Sequence, residues 1–169
     1  MILPLERDEL LSRWEGWRHF AEGPALEKPE LLSAKQIKKL GEDDRVAYDY
    51  QRERYHANFL VTTPQVKRLN VRLWDLLDAN QQGPSRVKGA AVIDSPPGLG
   101  KTTAVDAFGR AFHRRQILRH GRDFDDGQTL HIPVCHVAFK GHTTTRALNE
   151  AILNFYNHPS ADAAETRHL

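Results

Sequence analysis

The sequence predicts an α/β fold: a parallel sheet with flanking helices, incomplete, and preceded by a helical N-terminal segment. Three observations predict it. From residue 87 the chain alternates short apolar runs with longer amphipathic stretches in the order strand, helix, strand, helix, an order that implies parallel strands joined by right-handed crossovers. The first of those runs ends in a glycine-bearing loop, Ser95-Pro96-Pro97-Gly98-Leu99-Gly100. The N-terminal part, by contrast, carries its apolar residues at helical spacing. The division implied is 1–84 as a helical segment leading into the core, and 85–169 as the N-terminal part of that core.

The elements follow in order. Asp8 to Phe20 places Leu10, Leu11, Trp14, Trp17 and Phe20 on one stripe that needs a partner surface, and Gly23-Pro24 ends it. Ser33-Ala34-Lys35-Gln36 has the spacing of a capping box and opens a second helix. A third runs from about Asp43 to Asn58 through Val46, Tyr50 and Tyr55. In Thr62-Thr63-Pro64-Gln65 a threonine caps and proline takes the first helical position. Val66, Leu69, Leu73, Leu76 and Leu77 then repeat at helical spacing until about Asn80. The turn Gln81-Gln82-Gly83-Pro84-Ser85 separates this part from the rest.

Val87 to Asp94 reads as a buried strand and Lys101 to Arg119 as a helix. Gly121 to Thr129 is a polar loop, Ile132 to Phe139 a second buried strand, and Thr145 to Tyr156 an amphipathic helix.

Composition bounds the function without choosing it. The 169 residues carry a formal net charge of only +2, so no nucleic-acid or membrane partner is demanded by charge. The lone cysteine, Cys135, excludes an intramolecular disulfide. No signal-peptide core opens the chain, and no apolar run approaches the roughly 20 residues that span a bilayer. These features predict a cytoplasmic protein.

The loop carries the chemistry. A phosphate-binding P-loop needs glycine, four residues, then Gly-Lys-Ser/Thr, and here Ser95 stands at the first glycine position ahead of Gly100-Lys101-Thr102. The tripeptide alone arises by chance in about one chain in ten of this length; its place between an apolar run and a proline-free helix is what makes it specific. Gly98 and Gly100 let the backbone curl so that N–H groups and the helix dipole face an anion. Lys101 places an ammonium against the β- and γ-phosphates of ATP, and Thr102 offers its hydroxyl to Mg²⁺. Thr103 either adds a contact nearer the α-phosphate or is an ordinary first-turn residue. Ser95 can replace glycine if its φ is negative.

Ser95-Pro96-Pro97-Gly98-Leu99-Gly100-Lys101-Thr102-Thr103 resembles the AAA+ form of the loop, Gly-Pro-Pro-Gly-Thr-Gly-Lys-Thr, apart from Ser95 and Leu99. Tyr55-His56-Ala57-Asn58 followed by Thr62-Thr63-Pro64-Gln65 resembles the lead-in of the TniB/TnsC group of transposition ATPases. So does the Val-Cys-His-Val run leading to Thr143-Thr144-Thr145. The resemblance spans roughly residues 48 to 156. It implies a P-loop NTPase core of AAA+ type, binding of ATP with Mg²⁺, assembly into oligomers on DNA and recruitment of a transposase. By the same resemblance Pro97, Gly98, Leu99, Gly100, Lys101, Thr102 and Thr103 hold the nucleotide and Tyr55 and His56 lie near the adenine; read from the residues, the latter two and the Thr62-Thr63-Pro64 turn are helix packing and capping.

ATP hydrolysis needs an acidic residue at the end of a later strand. No apolar strand ending in Asp-Asp or Asp-Glu follows Thr145, and Asp123, Asp125, Asp126 and Asp162 fall in polar loops. The sequence therefore reads as stopping before the catalytic half of such a domain, and its catalytic residues stay unassigned. A small P-loop kinase-like enzyme and a remnant without function remain alternatives. Arg110, Arg114, Arg115, Arg119 and Arg122, and Lys67, Arg68 and Arg72, are two basic clusters that suit DNA phosphates or a solvated helix face. His131 and His136 fall on opposite faces of the second strand, against a shared metal, and Cys135 reads as a small buried strand residue. Trp14 and Trp17 read as aromatics packing the N-terminal helix onto the core.

Overall fold

The computed structural model describes residues 11–24, 27–57, 61–82, 87–124, 127, 129–139, 141 and 143–161. Among the described residues there are six α-helices: α1 (Trp14–Glu22), α2 (Ala34–Ile37), α3 (Glu42–Ala57), α4 (Pro64–Gln81), α5 (Lys101–His120) and α6 (Thr145–Phe155). The chain divides into two compact units, Met1–Gly23 with Val105–Leu169, and Pro24–Ala104.

The helix ends form where local chemistry directs them. Ser33 accepts from Gln36 N while Gln36 Oε1 accepts from Ser33 N at 2.8 Å, a complete capping box. Thr63 Oγ1 accepts from Val66 N with Pro64 opening α4, and Thr144 Oγ1 accepts from Ala147 N at the start of α6. Helix α6 closes with Asn157 at φ 51, His158 N donating to Leu153 O at 2.9 Å and Asn157 N to Asn154 O at 3.1 Å. That pair of bonds satisfies the last carbonyls.

The parallel sheet is not there. Among the described residues no ladder forms, and the single β-bridge is the antiparallel contact of Asp123 with Leu130. The segments expected as buried strands, 87–94 and 132–139, form no β-ladder, and Val87 and Val92 are 100% and 92% exposed. The reason is physical: a strand exists through its neighbour's N–H and C=O groups, which an apolar β-branched run cannot supply for itself. What holds the start of the first segment is a side chain. Asn80, in the last turn of α4, donates from Nδ2 to Gly89 O at 2.9 Å and accepts Gly89 N–H on Oδ1 at 2.8 Å, so its carboxamide stands in for a strand partner.

The core lies in the unit that contains α1. Leu11, Trp17, Ala21 and Phe155 are buried together, with Trp14, Phe20, Ile132 and Val134 packed against them. Burying a side chain such as Phe155 is worth roughly 2 kcal/mol. Helix α5 turns a polar face to this interior, with Asp106, His113 and Gln116 buried while Val105 and Leu118 are exposed. Cys135, expected in a buried strand, is exposed; its thiol leans on Tyr156, and partial desolvation raises its pKa. In the second unit no described residue except Ala104 is buried, so its helices rest on their caps and local contacts, such as Tyr48 Oη donating to Glu30 O at 3.0 Å and accepting from Leu32 N at 3.2 Å.

Candidate functional site

The loop expected to bind phosphate runs directly into α5. Gly98 and Gly100 have φ of +79° and +76°, the left-handed region in which a β-carbon is strained. A β-carbon placed on either glycine would meet nothing within 4 Å, so the space beside the loop is open. Ser95 is not among the described residues with positive φ, which is the condition under which serine can stand in for the first glycine. Leu99 points outward, 67% exposed, and Pro97 lies with Gly98 in the turn.

Ala104 N donates to Gly100 O at 2.9 Å and closes the first turn of α5. The N–H groups of Lys101, Thr102 and Thr103 are thereby left as the orphan donors of a helix start, at the positive end of its dipole. Lys101 folds back on the loop, its Nζ donating to Ser95 O and, at 3.1 Å, to Pro96 O. An ammonium drawn to carbonyl dipoles is one drawn more strongly to phosphate oxygens. Thr102 and Thr103 are exposed in the first turn, so the Thr102 hydroxyl can reach a cation held by such a phosphate. Among the described residues no group of three or more His, Cys, Asp or Glu side chains could hold a metal by itself. Asp125, Asp126 and Asp162 lie outside the described residues.

Tyr55 and His56 sit in the last turn of α3, ring centroids 5.8 Å apart and edge to face. Thr63 and Pro64 do what capping chemistry predicts of them at α4.

The basic residues separate into two kinds. Arg110 and Arg114, one turn apart on α5, both donate from Nε to Ala21 O and from Nη2 to Gly23 O, at 2.6 to 3.3 Å. Arg122 pairs with Glu22 at 2.9 Å. These three gather at the C-terminus of α1. Lys67, Arg68 and Arg72 stand exposed on α4.

The sequence reading missed a polar cluster around Trp17. Its Nε1 donates to His113 Nδ1 at 3.3 Å, its ring stacks on His136 at 5.5 Å, and His136 Nε2 lies 3.4 Å from Asp106 Oδ1. His113 Nε2 faces Glu22 Oε1 at 3.4 Å. Burial pushes the His113 pKa down, with Glu22 pulling against it. A cavity of about 250 Å³ opens beside this cluster, lined by Trp14, Arg18, Glu22, His113, Arg122 and His131 among others. His131 bonds Gly121 O at 3.1 Å through Nδ1. The one signal in sequence was the Trp17 to Ala21 spacing on α1, which marks a buried stripe but names no partner. Comparison with protein-family models, with curated proteins and with solved structures returns no match to this chain.

Proposed function

We propose that this chain binds ATP with Mg²⁺ at Ser95–Thr103 and acts as a nucleotide-dependent regulator of transposition of the TniB/TnsC kind, with DNA and a transposase as partners. The observation that supports the binding reading is the pair of left-handed glycines, Gly98 and Gly100, in an open loop that leads directly into the start of α5. Backbone N–H groups supply most of the phosphate contacts, Lys101 the mobile charge and Thr102 the cation contact. The regulator reading rests on the resemblance of the lead-in and loop sequences. Among the described residues no helix is long and apolar enough to cross a membrane.

Calorimetric titration of the purified chain with Mg-ATP tests the reading. Lys101→Ala should abolish the binding heat; equal affinity in variant and parent would refute the phosphate site. Turnover is expected to be slow, because phosphoryl transfer requires positioned water and stabilised transition-state charge, and a cradle that holds ground and transition states alike does not accelerate it. Phosphate release well above the Lys101→Ala blank would contradict that expectation. DNA binding should be nonspecific and fall steeply with salt, since exposed Lys67, Arg68 and Arg72 contact phosphates rather than bases.

A further inference from the structure

One imidazole holds α1 through both of its nitrogens, by different chemistry. An indole N–H can only donate, so the 3.3 Å bond from Trp17 Nε1 requires a bare Nδ1 on His113. The ring proton of neutral His113 therefore sits on Nε2 and is directed to Glu22 Oε1 at 3.4 Å. A second proton has only Nδ1 to go to, where the Trp17 N–H already stands. We propose that His113 is an acid-operated latch on α1: proton uptake at Nδ1 expels the Trp17 indole N–H while the Glu22 contact persists.

The surroundings set the direction. From α1, Glu22 favours the charged ring, and Arg18 at 3.7 Å partly offsets Glu22. From α5, Arg114 opposes it, as does His131 from the segment after α5. Arg122 takes Glu22 at 2.9 Å, and Asp123 lines the same cavity. The His113 side chain is only 3% exposed, and desolvation holds its pKa below the ordinary value. A depressed folded-state pKa means that the unfolded chain takes up the proton first. The stabilisation from neutral His113 is thus complete above about pH 6.5 and is lost as pH falls through the folded-state value. The cavity beside Glu22 gives water a route to the ring. His136 also touches Trp17, its ring stacked on the indole and its Nε2 3.4 Å from Asp106 Oδ1, so it is the neighbour against which the role of His113 is tested.

The test uses the full chain with Trp14→Phe and Trp74→Phe, leaving Trp17 as the reporter. The indole N–H resonance, the emission maximum and the His113 Cε1–H resonance are followed from pH 8 to 4.5. The latch predicts that Trp17 emission shifts to longer wavelength and its N–H resonance moves with the same midpoint as His113, below 6.5, with far-ultraviolet circular dichroism unchanged. His113→Asn, which does not titrate, should flatten the response, and His136→Gln should preserve it. Constant Trp17 signals while His113 titrates would overturn the proposal. So would a transition that survives His113→Asn and vanishes in His136→Gln, or loss of helix at the same midpoint. Should His113→Asn fail to fold, coincidence of the Trp17 and His113 midpoints in the reporter protein supports the latch and their separation overturns it.

Discussion

Replacing Gly109 by alanine sets two effects of opposite sign against each other. In a helix interior alanine is favoured over glycine by about 1 kcal/mol, so propensity alone predicts a more stable protein. Packing predicts the reverse. A β-carbon at 109 would lie 2.8 Å from Trp17 Cη2 and 3.1 Å from Cζ2, with Val134 Cγ1 behind at 3.9 Å. Both close atoms belong to one rigid ring that is 1% exposed and tied to His113, so the ring must move as a body. Overpacking of this kind costs about 1 to 3 kcal/mol, and a pinned aromatic places it in the upper part of that range. The net expectation is a loss of about 1 to 2 kcal/mol, or roughly 0.5 to 1 M in the urea midpoint, read by circular dichroism at pH 7.5. In a Trp17→Phe background the two clashing atoms are gone, and Gly109→Ala should become neutral or stabilising. An alanine variant as stable as the parent, or an equal loss in both backgrounds, would refute the account of α1 seated on α5.

Two further expectations concern the other unit. Gly98→Ala should lower nucleotide affinity about 5- to 30-fold, since holding φ at +79° costs an L-residue roughly 1 to 2 kcal/mol, a conformational cost and not a steric one because nothing crowds the site. Gly98→Asn should lose less, as asparagine tolerates left-handed backbone, and equal losses for the two would argue against the conformational cause. Asn80→Ala removes both bonds to Gly89; amide exchange at Gly89 should accelerate several-fold at about 1 kcal/mol of local stability, while α4 keeps its protection. Unchanged exchange at Gly89 would show that the carboxamide is not what holds the segment.

The helices were legible because their signals are local. Ser33 with Gln36, Thr63 with Pro64, and the stretch from Lys101 mark helix starts within four residues of sequence, and α3 and α5 fall within a residue of their expected ends. The loop's curvature was legible for the same reason, since only Gly98 and Gly100 could adopt it cheaply. The sheet was misread because pairing is not local: residues 87–94 and 132–139 have strand composition, and composition carries no record of a neighbour. The buried face of α5 was hidden too. Its inward positions hold Asp106, His113 and Gln116 while Val105 and Leu118 face out, so hydrophobic periodicity pointed nowhere. The contact of Arg110 and Arg114 with α1 was hidden because the carbonyls they serve lie roughly 90 residues earlier in the chain.

That four-bond contact also fixes a length. Two guanidinium forks converge on the carbonyls of Ala21 and Gly23, and a fork matches a pair of acceptors only at one spacing and one orientation. Inserting a single residue between Trp17 and Ala21 would swing the helix end by about 100° and advance it about 1.5 Å, taking both oxygens out of reach while Trp17 stayed seated. Evolution can therefore lengthen the connection after Pro24 far more freely than α1 itself, and the same holds for anyone adding a tag or spliced segment: the residue count from Trp17 to Gly23 behaves as a ruler, and α5 is what reads it.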